Sequence, residues 1–211
     1  MSQPLLRTVP ASPDVVRGRR LFDDSRLATL QRLARTADRE SPFDEHIERV
    51  GRTAALLAER MGWSESDVEL IRHAAPLHDI GKLAVADAIL LKTGALTSQE
   101  LHLMRRHVTS GAAMLSGSAS DVIRLAREIA LTHHEWWDGS GYPEGLSGET
   151  IPLCGRIVAL ADVFDALTHE RPYKSAWPVD DAVAEIRRLS GRQFDPSVVE
   201  AFEKLDVRDL V

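Results

Sequence analysis

The stretch DEHIERVGRTAALLAERM, residues 44–61, repeats its apolar side chains every three or four positions. This period is that of an α-helix, so the stretch predicts a helix with one apolar face, and Gly62 is a plausible end for it. The face consists of Ile47, Val50, Ala54, Leu57 and Met61. Because the flanking sequence repeats the same period and shows no strand-like alternation, the sequence predicts an all-α fold.

Further helices are predicted on both sides of this stretch. Ser64 and Asp195 are typical N-cap residues, and Thr97 with Glu100 forms a capping box. The predicted helices span about 14–39, 64–78, 97–115, 121–131, 153–168, 178–190 and 196–205.

The N-terminal part is set apart from the main domain. Residues 1–13 contain three prolines and no period, which indicates a tail, and residues 14–39 form a leader helix that ends before the Ser41-Pro42 break. We therefore divide the chain into residues 1–39 and a domain at 40–211. The leader helix either caps the domain or joins a partner element, for example in a homodimer.

The chain has 211 residues, of which 44% are hydrophobic and 27% charged, the balance of an ordinary globular protein. Its net charge of −6 and the lack of a basic stripe argue against a polynucleotide partner. No apolar run reaches the roughly 18–20 residues of a membrane span, and no secretory signal is visible. The single cysteine, Cys154, fits a reducing compartment, so we expect a cytoplasmic protein that does not contact a membrane.

Five histidines and two aspartates come from five predicted helices, on or near the apolar side or at the helix end. One histidine on such a face is more often a hydrogen-bonded core residue than a ligand. Burying so many imidazoles and carboxylates without partners costs several kcal/mol per group, however, and a divalent metal ion removes that cost. The pattern therefore favours a metal site. Its residues are His46, His78, Asp79, His107, His133, His134 and Asp162.

Two motifs resemble a known family. HDIGK at 78–82, with EHIERV upstream, resembles the HD phosphohydrolase superfamily, and HHEWWDGSGYP at 133–143 is similar to the signature of HD-GYP domains. The similarity covers about residues 40–205. It continues in GLSGETIPL at 145–153, ADVFDALT at 161–168, RPYK at 171–174 and FDP at 194–196. The resemblance implies an HD-superfamily helical bundle with a Gly- and Pro-rich loop, the GYP loop at 135–152, beside the metal site.

HD-GYP domains hold two or three metal ions, often iron or manganese, and hydrolyse cyclic di-GMP. The resemblance implies that one ion is held by His46, His78, Asp79 and Asp162, and a second by His107, His133 and His134, with Asp79 bridging both. A carboxylate can serve two cations about 3.5–4 Å apart in this way. Metal-activated water would then break one 3′–5′ phosphodiester bond to give linear pGpG, with Asp79 as a catalytic residue.

Four residues are implied to contact the substrate. Lys82 lies four positions after His78, one helical turn further, so we expect it to project toward the same site rather than to be a solvated surface lysine. In the family, the residue at this position contacts the scissile phosphate. Arg171 and Lys174 occupy positions that the family uses for substrate phosphates, a task that suits an arginine fork and a lysine point charge. Tyr142 is a candidate for stacking on guanine, with anchoring of the loop to the core as the alternative.

The GYP loop has two further implied roles. Gly139 and Gly141 permit backbone conformations closed to other residues, so the loop is expected to shape the wall of the site. Trp136 and Trp137 either stack on guanine or anchor the loop to the core. The resemblance also implies contacts of this loop with regulatory partners, including diguanylate cyclase domains.

One position departs from the family pattern. Members with three metal ions carry a glutamate four residues before the first ligand histidine, where this chain has Pro42. We therefore expect a binuclear centre and a reaction that stops mainly at pGpG. The presence of all seven ligands favours an active phosphodiesterase. The alternatives are a module that binds cyclic di-GMP or a partner without turnover, and another HD hydrolase acting on nucleotides or related cyclic dinucleotides.

Overall fold

The computed structural model of the protein describes residues 13–37, 45–170 and 175–210. These ranges contain no strand, only an isolated bridge between Ser190 and Phe194, so the all-α prediction is confirmed. The α-helices are α1 Pro13–Ala37, α2 His46–Arg60, α3 Glu65–Ala74, α4 Asp87–Leu90, α5 Ser98–Arg105, α6 His107–Met114, α7 Asp121–Thr132, α8 Leu153–Thr168, α9 Val179–Arg188 and α10 Pro196–Glu203. Short 3-10 segments lie at Ala75–Leu77, Ile80–Ala84, Gly148–Thr150 and Val207–Leu210.

Helix α2 packs against α3, α8 and α10, and α7 packs against α3, α6 and α8. Val50, Ala54 and Leu57 on α2 are fully buried, as the helical period predicts. The apolar faces of these helices meet in one core, so the elements that carry the candidate ligands are held by hydrophobic packing. Large core side chains include Ile71, Leu77, Ile123, Ile129, Ile157, Phe164 and Phe202.

Three predicted helix starts are confirmed by their hydrogen bonds. The side chain of Ser64 accepts a hydrogen bond from a backbone N–H of α3, and Asp195 does the same for α10. Thr97 and Glu100 form both hydrogen bonds of the capping box at α5. These boundaries are encoded locally, because a side-chain oxygen satisfies an N–H that has no partner within the helix.

The predicted continuous helix from Ser64 to residue 78 is wrong. Helix α3 ends at Ala74, and the chain continues in the 3-10 segments Ala75–Leu77 and Ile80–Ala84. Pro76 explains the change, because a proline has no N–H to donate and its ring clashes with the preceding turn of an α-helix. Residues 78–79 therefore lie between two tight turns and not on an α-helical face.

The predicted single helix over 97–115 is also wrong. It is divided at Arg106 into α5 and α6. No residue of α5 is buried, whereas α6 buries one face, including Val108 and Ala112, and packs against the segment Ile80–Ala84. Tertiary packing of α6 therefore accounts for the break, which the local sequence does not indicate.

The second half of α1 contacts the segments on either side of residues 78–79. Leu30, Ala34 and Ala37 are buried there, which favours the interpretation of the leader helix as a cap. The predicted domain boundary at residues 39–40 lies outside the described residues. Within those residues, no helix combines the length and apolar character that crossing a bilayer requires.

Candidate metal centre

The seven predicted ligands come together in two adjoining groups of donor atoms. Within each group, one donor atom from every residue lies within 4.8 Å of the others. Ring centroids of neighbouring imidazoles are 4.1–5.8 Å apart. One group consists of Asp79, His107, His133 and His134, and the other of His46, His78 and Asp162.

Three of these side chains lie at α-helix termini. His46 and His107 are the first residues of α2 and α6, and His133 caps the C-terminus of α7. Asp162 lies within α8, and residues 78–79 lie between the two 3-10 segments. Because the donors come from separate elements, the site depends on how the helices pack.

Asp79 lies at the junction of the two groups. Its Oδ1 atom is 3.2 Å from Nε2 of His107 and 3.6 Å from Nε2 of His133. Its Oδ2 atom is 3.4 Å from Nε2 of His78, which belongs to the other group. The two oxygens thus face different groups, the arrangement that a bridging carboxylate requires.

In the other group, Asp162 Oδ1 is 3.4 Å from Nε2 of His46 and 3.8 Å from Nε2 of His78. His46 and His78 meet edge to face, with ring centroids 5.8 Å apart. This group therefore combines two imidazoles and one carboxylate, a donor set that suits divalent first-row metals.

His78, His107 and His133 present their Nε2 atoms to these groups because Nδ1 is already engaged. Nδ1 of His78, His107 and His133 lies 2.8–3.0 Å from a backbone carbonyl oxygen of the preceding turn. A carbonyl oxygen only accepts hydrogen bonds, so Nδ1 carries the hydrogen and Nε2 of the neutral ring carries a lone pair. This orientation is typical of metal-bound histidine.

Four buried polar atoms in the cluster have no hydrogen-bond partner. They are Nε2 of His78, His107 and His133, and Oδ1 of Asp79. Leaving a buried polar atom without a partner costs about 1–3 kcal/mol. A divalent cation would satisfy lone pairs that face each other in this way, so the residues present fit a metal centre.

Burial and neighbouring charged groups shift the pKa values of several candidate ligands when no metal is bound. Burial lowers the pKa of His78, but Asp79 and Asp162 outweigh it and raise that pKa to about 9. Burial lowers the pKa of His133 and His134, which keeps both rings neutral. Burial opposes ionisation of Asp79 as well, yet Lys82 and His78 hold its pKa well below the usual range.

Gly81 allows the two ligand-bearing segments to approach closely. A Cβ atom at this position would lie 1.9 Å from the carbonyl oxygen of His107 and 2.5 Å from the backbone nitrogen of Gly111. Only glycine fits this contact, which holds Asp79 beside the start of α6.

Lys82 lies beside Asp79, but in a backbone conformation that the sequence did not predict. Its Nζ atom lies 2.8 Å from Oδ2 of Asp79. The predicted α-helical spacing from His78 is wrong, because Lys82 lies in the 3-10 segment Ile80–Ala84. The tighter turn nevertheless leaves its ammonium group at the edge of the cluster of candidate ligands.

Tyr142 packs against the cluster. Its ring stacks on His134, with centroids 4.8 Å apart and an interplanar angle of 24°. The guanidinium of Arg105 lies over the Tyr142 ring at 4.8 Å, a cation–π contact that the sequence did not reveal. Tyr142 therefore lies beside a candidate ligand, and Arg105 adds a positive charge next to it.

Glu135 anchors the GYP loop from within. Its buried carboxylate accepts hydrogen bonds from the backbone N–H groups of Glu144, at 2.8 Å, and Leu146, at 3.0 Å. Gly141 lies so close to the preceding residues that a Cβ would be 2.3 Å from the nitrogen of Trp136. The loop is therefore folded back on the residues that follow the ligand histidines.

The two tryptophans of the loop take the anchoring role. The backbone N–H of Trp137 donates to the carbonyl of Gln193, and Arg156 lies 5.7 Å from the Trp137 ring. Arg192 lies 5.9 Å from the Trp136 ring. These contacts tie the loop to α8 and to the turn before α10, which favours anchoring over stacking on a base.

Sequence reasoning missed a buried network behind His46. Asp165 Oδ2 is 2.5 Å from Nδ1 of His46, and Asp165 also pairs with Nε and Nη2 of Arg49. Burial opposes ionisation of Asp165, but His46 and Arg49 lower its pKa to about 2. The sequence contained one indication of this network. Arg49 and Asp165 each follow a candidate ligand by three residues, which places them on the same helix face as that ligand.

Three predicted features lie outside the described residues. Arg171 and Lys174, the expected phosphate contacts, fall at 171–174, and Pro42 falls at 38–44. Their predicted roles therefore stay predictions.

Comparison with known proteins identifies the family. The sequence model of the HD domain family matches residues 30–198, which include all seven candidate ligands. The chain is 52% identical over 174 residues to the cyclic di-GMP phosphodiesterase response regulator RpfG of Xanthomonas campestris pv. campestris. It is 51% identical over 180 residues to a cyclic di-GMP phosphodiesterase of Thermotoga maritima. The chain belongs to the HD domain family, in its HD-GYP branch. An HD domain implies divalent metal binding, which the two donor groups fit.

A third relative of this HD-GYP chain is named for another cyclic dinucleotide, and two solved structures resemble the chain. It is 46% identical over 155 residues, 74% of its length, to the 3′3′-cGAMP-specific phosphodiesterase 2 of Vibrio cholerae. The crystal structure of the V. cholerae phosphodiesterase V-cGAP3 matches 84% of this chain and 47% of its own, with a TM-score of 0.61 and 23% identity. Bd1817, an HD-GYP protein of Bdellovibrio bacteriovorus, matches 76% of this chain and 52% of its own, with a TM-score of 0.57 and 19% identity. These two structures support the helical HD fold.

The chain spans about half the length of the curated relatives that it matches. The similarity to the Xanthomonas protein covers 82% of this chain and 46% of that protein, and for the Thermotoga protein the shares are 85% and 48%.

Proposed function

We propose that this HD-GYP chain is a metal-dependent cyclic di-GMP phosphodiesterase that opens the cyclic dinucleotide to linear pGpG. The observation that supports the proposal is the pair of adjoining donor groups with Asp79 at their junction, in which buried histidine and carboxylate atoms have no hydrogen-bond partner. The names of the relatives at 52% and 51% identity support the substrate.

Two divalent ions, iron or manganese, are the cofactors that we propose. His46, His78 and Asp162 would hold one ion, and His107, His133 and His134 the other, with Asp79 shared. Bound there, the ions would supply an activated water and neutralise charge on the phosphate. Pro42 in place of the glutamate of trinuclear family members supports two ions rather than three.

The chain's own residues would bind and orient the substrate. Lys82, beside Asp79, would pair with a non-bridging oxygen of the scissile phosphate, and we assign Arg171 and Lys174 to the other phosphate oxygens. The Tyr142 ring stacks on His134 and has Arg105 over it, so stacking of a guanine on this ring would require the guanidinium to move aside. The hydrolysis would consume one water, whose oxygen would join phosphorus as the P–O3′ bond breaks. One of its protons would go to O3′ and the other to the new terminal phosphate or to solvent. Asp79 would act as a catalytic residue through the cations that it would hold.

Cation binding would depend on pH. The histidine nitrogens of the site must be unprotonated to act as ligands, and His78 holds a proton in the metal-free chain. Loading of the site would therefore release protons.

The cellular setting that we propose follows the same relatives. The chain would act in the cytoplasm in bacterial second-messenger signalling, with its one thiol, Cys154, buried and reduced. The GYP loop would contact diguanylate cyclase domains or other regulatory proteins, and the leader helix would support a homodimer.

The test is incubation of anaerobically purified protein with cyclic di-GMP and Mn²⁺ or Fe²⁺, with the products separated by chromatography. We expect pGpG to accumulate and Asp79→Ala to abolish turnover. Binding without turnover in either metal would favour the non-catalytic module instead. Because one relative is named for 3′3′-cGAMP, the same assay should include that dinucleotide, and a higher kcat/KM for it would replace the proposed substrate.

A further inference from the structure

The imidazole of His46 lies between two carboxylates of the same helix. Asp162 and Asp165 are three residues apart on α8, so they lie on one face of it. Nε2 of His46 is 3.4 Å from Asp162 Oδ1, and Nδ1 is 2.5 Å from Asp165 Oδ2. Asp165 therefore accepts the Nδ1 hydrogen, which leaves the Nε2 lone pair directed at Asp162.

Arg49 fixes the carboxylate of Asp165 from the α2 side. It follows His46 by three residues and donates from Nε to Oδ1 and from Nη2, at 3.2 Å, to Oδ2. Nδ1 of His169 lies 3.3 Å from Oδ1 of Asp165. The Asp165 and Arg49 side chains are 5% and 13% exposed, so water competes little for these contacts. A two-point contact of this kind fixes the plane of the carboxylate as well as its position.

His46 differs from the other anchored ligands in the nature of its support. His78, His107 and His133 each donate Nδ1–H to a backbone carbonyl oxygen, which no substitution removes. The support of His46 is a side chain. A substitution at Asp165 can therefore change the orientation of one ligand and leave those three in place.

We propose that Asp165, held by Arg49, is a positioning residue that sets the ring orientation and tautomer of His46 for the metal ion of the His46, His78 and Asp162 group. The inference rests on the proposed metal centre and adds to it a residue that touches neither ion. Loss of such an outer partner lowers metal affinity by about 10–100-fold. A purely structural ion pair between α2 and α8 would instead change stability and leave the two sites equally strong.

The test is calorimetric titration of Mn²⁺ into chelator-treated wild-type protein and Asp165→Asn, together with thermal unfolding of the metal-free forms. We expect one of two Mn²⁺ sites to weaken about 10–100-fold in the variant and the other to keep its affinity. The matched control is Asp195→Asn. Asp195 is also buried and paired with an arginine, with Oδ2 2.5 Å from Nη1 of Arg156, and its other side-chain oxygen accepts hydrogen bonds from Ser197; neither partner is a candidate ligand. It should keep both sites even where it loses stability.

Arg49→Gln provides a second variant, because it keeps the Asp165–His46 hydrogen bond and removes the clamp. We expect a smaller loss at the same single site, and this variant decides the question if Asp165→Asn does not fold. Wild-type affinity at both sites, or an equal loss at both, would overturn the inference alone. A wild-type protein that binds no Mn²⁺ would overturn the proposed metal centre and this inference with it.

Discussion

The substitution Gly81→Ala tests whether the metal centre depends on the close backbone contact between Gly81 and the start of α6. A Cβ on Gly81 would lie 1.9 Å from the His107 carbonyl oxygen, whereas real Cβ atoms essentially never approach a heavy atom within 3.0 Å. The segments must therefore separate by about 1 Å, since neither contact involves a side chain that can rotate away. Metal–ligand distances tolerate about 0.2 Å, so this displacement is several times what the site can absorb.

We expect Gly81→Ala to lower the free energy of unfolding by about 1–3 kcal/mol and to reduce bound metal. The matched control is Gly94→Ala, where a Cβ meets nothing within 4 Å and φ is unstrained, so stability should stay within about 0.5 kcal/mol of the wild type. Urea unfolding with chelator measures the first quantity, and elemental analysis after loading with Mn²⁺ measures the second. Wild-type stability and metal content in Gly81→Ala would refute the reasoning.

Three further predictions address the loop, the lysine and pH. Glu135→Ala removes the acceptor of two backbone N–H groups, so the GYP loop should loosen and KM for cyclic di-GMP rise several-fold at unchanged metal content; an unchanged KM would contradict this. Lys82→Met should lower kcat by about 10²–10³-fold while Mn²⁺ binding persists, and a wild-type kcat would exclude Lys82 from the mechanism. With chelator present, the free energy of unfolding should fall as pH rises from about 7 to 8.5, because folded His78 keeps its proton up to a pKa of about 9 and unfolded histidine releases it near 6.5. His133 and His134 are neutral in both states over that range, so a rise in stability on urea unfolding would contradict the assignment.

The helices were predictable where local chemistry determines them. The apolar period of residues 44–61 and the caps at Ser64, Thr97 and Asp195 each depend on neighbouring residues alone. The break at Arg106 was not, because it reflects how α6 packs on the segment Ile80–Ala84. Pro76 did carry a signal for the end of α3, which the apolar period across it concealed.

The candidate metal ligands were predictable from the sequence, but the residues that hold them in place were not. The resemblance to HD-GYP domains named the seven residues that the structure brings together in two groups. It did not name Asp165 or Glu135, whose contacts depend on packing between distant segments. Asp165 meets Arg49 across 116 residues of sequence, so their pairing follows from the contact of α2 with α8.

The most direct test of the account is the number of metal ions bound per chain in wild-type protein and in Asp79→Asn. After loading with Mn²⁺ and removal of free metal, elemental analysis should give two ions for the wild type. Because the carboxylate of Asp79 faces both groups, the variant should retain fewer than one. A wild-type protein without metal, or an Asp79→Asn variant that keeps both ions, would contradict the shared centre.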